Sequence, residues 1–249
     1  MSGLDLLHAP PAVAIVNESS RLADADLDTI VEALTLQLAR DVLPAWWSLP
    51  FPISVVRGLD QVGPAAFPLV VLDTPDQAGA LGYHSETPDG RPYGRVFVSP
   101  TLDAGGTILS GPNAVSVTLS HEVIELVGDL SCNLWAERAD GSQVARELAD
   151  PVEGDAYDIA LDGGRTVSVS NFVLPAWFSP RSPQGVPTDY LGKLFEPFAM
   201  TPGGYMIVRS TSGEVGQVFG SLDAHAAFTA KLGTKIHPAG RTARRGALG

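Results

Sequence analysis

The chain has 249 residues, 45% hydrophobic and 18% charged, with 16 Lys and Arg against 28 Asp and Glu. It is apolar enough for a sizeable core and too poor in charge for a disordered chain, and no stretch approaches the ~18 consecutive apolar residues of a membrane span. Five of the bases lie after residue 230, where there is no acid, so the preceding body has 11 bases against 28 acids, a charge of −17; that surface repels phosphate backbones and argues against nucleic acid as the main partner.

The opening MSGLDLLHAPPAVAIV has an acid at Asp5 and no basic segment, so no secretory signal is expected. The single cysteine, Cys132, excludes an internal disulfide and a Cys-based zinc cluster, fits a reducing, cytoplasmic setting and reads as a buried thiol. Pro11–Asn17 is a short apolar run with the look of a buried strand. Asp24 or Asp26 then caps a helix to about Leu43, with Leu27, Ile30, Val31, Leu34, Leu38 and Val42 at helical spacing and Pro44 as its stop. Phe51–Val56 and Phe67–Leu72 are two further strands, and Gly94–Ser99, after the turn-rich TPDGRPY, is predicted as the edge strand. A second long helix runs from about Asn113 to Val127.

Beyond Gly128 the pattern breaks into shorter pieces. Asn133–Glu137 reads as a turn or strand, Ser142–Ala149 as a short helix ended by Pro151, and Thr166–Leu174 as a strand pair. A last helix is expected near Leu222–Leu232, and HPAGRTARRGALG reads as a flexible basic tail. The expected organisation is a lobe over residues 1–129, a second lobe over 130–235 that completes a cleft, and a tail over 236–249.

The informative stretch is Asn113–Asp129, NAVSVTLSHEVIELVGD. On a helix, Thr118, His121, Glu122, Glu125 and Asp129 fall in one wedge of about a quarter to a third of a turn. A narrow solvated face explains three acids and a threonine without any function. Against that reading, the wedge has no Lys or Arg, and like charges three and four apart repel. His121 and Glu125 stand one turn apart, the spacing that brings an imidazole nitrogen and a carboxylate oxygen to one cation. Downstream, RELADPVEGDAYD holds Glu147, Asp150, Glu153, Asp155 and Asp158 against Arg146 alone. Glu147 and Asp150, three apart on the expected short helix, share a face; facing the first cluster, such acids need a cation or raised pKa values.

His121-Glu122-Val123-Ile124-Glu125, after its β-α-β-β-β lead-in, resembles the active-site helix of zincin-type metallopeptidases, whose helix carries HExxH and, in the gluzincin branch, whose third ligand is a Glu from a later ExxxD-like segment. The resemblance implies His121 as a metal ligand, Glu122 as the general base for metal-activated water, Glu125 at the second-histidine position and Glu147 as third ligand, with Asp150 its partner or an alternative ligand. Glu125 in place of histidine makes the set harder and more anionic, so Zn is expected with Mn, Fe or Ca also tolerated. The implied fold is α+β and zincin-like: a mixed four-stranded N-terminal sheet with two long helices, then an irregular C-terminal lobe.

The implied function is a metal-dependent hydrolase of peptide or amide bonds, with a peptide or small amide substrate along the edge strand. The competing reading is a non-catalytic metal-binding or structural protein retaining the fold. Other residues weigh less. His84 reads as an exposed loop histidine, Tyr157, Tyr190 and Tyr205 as packing, His225 and His237 as structural or exposed, and Trp46, Trp47, Trp135 and Trp177 as core or cleft walls. Phosphate-loop, dinucleotide and G-x-S-x-G motifs are absent from the sequence.

Overall fold

The computed structural model describes residues 12–46, 51–77 and 79–223. It is a mixed α+β chain. Strand β1 (Ala12–Asn17) is apolar at consecutive positions because both of its faces are covered: Val13 to Val16 are all buried. It runs parallel to β2 (Ile53–Val56) on one side and β3 (Ala66–Leu72) on the other. Next to β3 lies β5 (Pro92–Phe97), also parallel, and β4 (Gly82–Glu86) closes the sheet antiparallel to β5. The order is β2-β1-β3-β5-β4.

This corrects the expected sheet twice. There are five strands rather than four, and the segment predicted as the edge is interior. The edge is β4, whose sequence GYHSE carries too little apolar character to announce a strand. Residues 98 and 99 belong to a short helix, α3 (Val98–Asp103).

Helix α1 (Asp24–Gln37) crosses between β1 and β2 and buries Leu27, Ile30, Val31 and Leu34. It does not stop at Pro44. A π-helical turn, Leu38–Val42, closed by the Leu43 N–H on the Leu38 carbonyl, leads into α2 (Leu43–Trp46). Pro44 is the second residue of α2, and because it has no N–H it cannot return a hydrogen bond to the preceding turn.

Helix α4 (Val115–Gly128) is buried almost all round. Its two serines outside the polar wedge act as anchors. Ser116 Oγ donates to the Ser168 carbonyl, and Ser120 Oγ donates to Gln37 Oε1 while accepting from the Ser170 N–H. Both tie α4 to the hairpin β8 (Ala156–Ala160) and β9 (Thr166–Ser170), which packs against α1 and α4. β6 (Trp135–Glu137), β7 (Gln143–Ala145), β10 (Tyr205–Arg209) and β11 (Val215–Phe219) form a four-stranded antiparallel sheet in the order β11-β10-β7-β6. The region expected to be irregular therefore has a sheet and a hairpin of its own.

The main core joins the five-stranded sheet, α1, α4 and the hairpin residues Ile159, Val167 and Val169. A smaller core around Trp177 and Met206 lies under the second sheet. Among the described residues no helix is long and apolar enough to cross a membrane. Trp47, most of the last expected helix, His225, His237 and the basic tail lie outside the described residues.

Candidate metal centre

The polar wedge of α4 is not a wet face. His121, Glu122, Glu125 and Asp129 are all buried, and Glu125 has no exposed surface at all. Asp129 closes the C-terminal end of α4: its carboxylate accepts the N–H groups of Asn133 and Leu134. The other three turn toward β4 and toward the segment after β7.

That segment is not the short helix expected over Ser142–Ala149. Residues 143–145 are strand β7, Glu147 stands in irregular backbone, and Asp150 opens a single 3-10 turn, Asp150–Val152, with Pro151 in its first positions. Leu148 fixes the segment on α4, lying so close to Gly128 that a Cβ there would meet Leu148 Cγ at 2.4 Å. The Asp150 turn is clamped from the other side. Thr201 N–H donates to the Pro151 carbonyl, and Gly204 leaves room for the same carbonyl, which a Cβ would meet at 2.0 Å. These contacts, and not helical spacing, bring Glu147 and Asp150 onto the α4 wedge.

The third contributor is His84 on β4, expected to be an exposed loop residue. It is fully buried. Alternation explains why: Tyr83 turns to the far side of the sheet against Tyr93 and Phe97, so His84 faces α4. Gly82, two residues earlier on the same face, permits β4 to approach closely; a Cβ there would meet Glu122 Oε1 at 2.8 Å.

The geometry centres on Glu125. Its Oε1 lies 3.0 Å from His121 Nε2, and its Oε2 lies 3.3 Å from His84 Nδ1. His121 Nε2 is 3.2 Å from Asp150 Oδ1. His84 Nδ1 is 3.6 Å from Glu122 Oε2, and His84 Nε2 is 3.7 Å from Glu147 Oε2. Ligand atoms of His84, Glu125 and Glu147 lie within 4.8 Å of one another, as do those of His121, Glu122 and Glu125. Donors about 2.1 Å from a cation in tetrahedral or octahedral arrangement stand about 3.0–3.4 Å apart, so these groups are near coordinating separation. Such buried His and Glu groups can bind a metal ion.

Electrostatics couple the same groups. Burial opposes charge on His121, yet Glu125 and the hydrogen bond to Asp150 outweigh it and hold the imidazole up at about 10. Burial and the neighbouring Glu125 raise Asp150 to about 7, with His121 pulling the other way. Asp150 Oδ1 is also the acceptor for Tyr205 Oη at 2.5 Å, while its Oδ2 is buried with no hydrogen-bond partner. The imidazole of His121 thus lies between two carboxylates, those of Glu125 and Asp150.

No protein-family model, curated protein or solved structure matches this chain. The site therefore stands on its own geometry.

The remaining candidates fall outside it. Tyr157 Oη donates to Asp41, and Tyr190 stacks on Phe172. Trp177 is core, Trp46 packs edge-on to Phe178 beneath Arg146, and Trp135 lies under Arg209. Cys132 is half-buried rather than buried. Asp155 pairs with Lys193, and Asp158 accepts from Ser168. Residues 182–185 and 195–199 line a separate cleft of about 900 Å³ with Arg138 and Asp140, to which none of the cluster residues contributes.

Proposed function

We propose that this chain is a zincin-like, metal-dependent hydrolase of peptide or amide bonds. The observation that carries the reading is the convergence of His121, Glu122, Glu125, Glu147 and Asp150 on one buried cluster beneath an antiparallel edge strand. His121, Glu125 and Asp150 hold a divalent cation, with Glu147 as a further carboxylate beside them. The donor set fits the ion: one imidazole with carboxylates suits zinc and also accepts Mn²⁺ or Fe²⁺, with Ca²⁺ the hardest alternative.

When bound, the cation supplies Lewis-acid polarisation of a carbonyl and lowers the pKa of water. The rest is work for the chain. Glu122, whose carboxylate lies against the β4 backbone at Gly82, takes the proton of the attacking water and returns it to the leaving amine. Tyr205 holds Asp150 in place through its hydroxyl. Among the described residues β4 is the edge of the sheet, and an extended peptide substrate would lie along that side of the site. A harder, more anionic shell than two histidines and a glutamate makes the ion a weaker Lewis acid, so turnover is expected to be slow.

One observation favours a second reading. His121 and Glu125 are buried to 8% and 0% exposure, and fully enclosed metal shells belong to structural sites. The alternative is a non-catalytic metal-binding protein of the same fold. The deciding experiment loads the chain with Zn²⁺ or Mn²⁺, adds a mixture of unstructured peptides and reads cleavage by mass spectrometry. The hydrolase reading expects cleavage that chelator abolishes and that Glu122→Gln abolishes with metal content unchanged. Metal bound with no cleavage by any loaded form establishes the structural alternative.

A further inference from the structure

The one-cation reading gives His84 no role and Glu147 no ion of its own, although both are buried beside Glu125. The cluster divides into two groups that share Glu125. On one side of the Glu125 carboxylate, Oε1 faces His121 Nε2 at 3.0 Å, and that imidazole has its own second carboxylate, Asp150, at 3.2 Å. On the other side, Oε2 faces His84 Nδ1 at 3.3 Å, Glu147 lies 3.7 Å from the other ring nitrogen, Nε2, and ligand atoms of His84, Glu125 and Glu147 lie within 4.8 Å of one another. Each group holds one imidazole, one terminal carboxylate and one arm of Glu125.

We infer that the cluster is a dinuclear centre in which Glu125 bridges two divalent cations, one held with His121 and Asp150 and the other with His84 and Glu147. This rests on the metal-site reading above and adds to it a second ion and its ligands. A carboxylate using both oxygens spans two ions about 3.5–4 Å apart, the spacing of two-metal hydrolytic sites. Three protein donors per ion leave coordination positions open for water and substrate.

Charge argues for the second ion. Glu122, Glu125, Glu147 and Asp150 are four buried carboxyls, and each buried charge costs several kcal/mol unless compensated. One divalent cation offsets half of their ionised charge; two offset all of it. Carboxylate-bridged dinuclear centres in helix bundles likewise combine two imidazoles with buried carboxylates; here the ligands are two imidazoles and the three carboxylates Glu125, Glu147 and Asp150. Here the donors come from a helix, an edge strand and a clamped turn. Glu122 is not needed as a ligand in this scheme and stays available as the base. A buried His84 that merely forms ion pairs needs no cation, and that difference is measurable.

The test uses the full chain, stripped with chelator, reloaded with Zn²⁺, desalted and counted by mass spectrometry. Two equivalents are expected, falling to one in His84→Ala. In parallel, loading with Mn²⁺ is expected to give an exchange-coupled spin signal with halved hyperfine splitting, read in the unaltered chain so that it does not depend on the folding of a variant. One equivalent in the unaltered chain, the same in His84→Ala, with an isolated-ion Mn²⁺ spectrum, overturns the dinuclear inference and leaves the mononuclear site intact. No bound metal overturns both.

Discussion

Helices α1 and α4 are each 14 residues long and bury apolar residues in the same core, but they place their acids differently. On α1 the acids face water: Asp24 and Asp28 pair with Arg57, and Glu32 with Arg165, at half-exposed positions. On α4 Glu122 and Glu125 face inward, and the groups set against them are the imidazoles of His84 and His121. A charged helix face says little by itself. What separates the two is the partner: guanidinium groups in water for the solvated face of α1, imidazoles and further carboxylates out of water for the face of α4.

That contrast can be broken most sharply with metal. Adding Zn²⁺ at about 100 to 1,000 times its dissociation constant is expected to stabilise the chain by about 3–4 kcal/mol, seen as a rise of the thermal midpoint. His121→Ala or Glu125→Ala should remove that rise. Asp28→Ala on α1 should leave it in full.

The next effect is steric. At Gly82 a side chain would meet Glu122 Oε1 at 2.8 Å and the Arg95 carbonyl at 3.1 Å. Gly82→Val is expected to cost about 1–3 kcal/mol as overpacking, measured by urea unfolding. It should also lower peptide hydrolysis while metal content holds, because Glu122 is displaced and the His121 side of the site is not.

The pH dependence separates the regions further. Asp150 is raised to about 7 and His121 to about 10, so the folded metal-free chain holds more protons than the unfolded one. Asp150 adds a penalty that grows between about pH 4 and 7, and the stabilising charge on His121 is complete below about 6.5 and lost toward 10. The urea midpoint of the chelator-treated chain should therefore fall from pH 5 to 9. With zinc the trend should reverse over the same range, since the ligands must shed their protons to bind. The smallest effect belongs to α1: Arg57→Ala should change stability by no more than about 1 kcal/mol, by urea unfolding, because both of its pairs are solvated.

The same contrast explains what could be read from sequence. The wedge of α4 was readable because three acids and a histidine without a base stand out at helical spacing on an otherwise apolar helix. β1 and β3 were readable as continuous apolar runs. His84 was not, because the usual strand signal depends on one apolar face. In β4 the face toward α4 meets carboxylates, so Gly82 and His84 replace the apolar residues that would have marked it. Glu147 and Asp150 stood out by their charge, and the structure places them beside His84 and His121, but the helix assigned to them was wrong. Their positions come from Leu148 on Gly128 and from Gly204 and Thr201 on Pro151, contacts between distant parts of the chain that local spacing does not encode. Tyr205 was set aside as packing for the same reason: its partner, Asp150, is 55 residues away.

The most direct test of the central claim is anomalous diffraction at the zinc edge from crystals grown with Zn²⁺. The account predicts a strong peak within bonding distance of His121 Nε2, Glu125 and Asp150. A zinc-saturated crystal with no peak among these residues, the imidazole of His121 still hydrogen-bonded to Glu125 and Asp150, would contradict it and leave the cluster a buried ion-pair network.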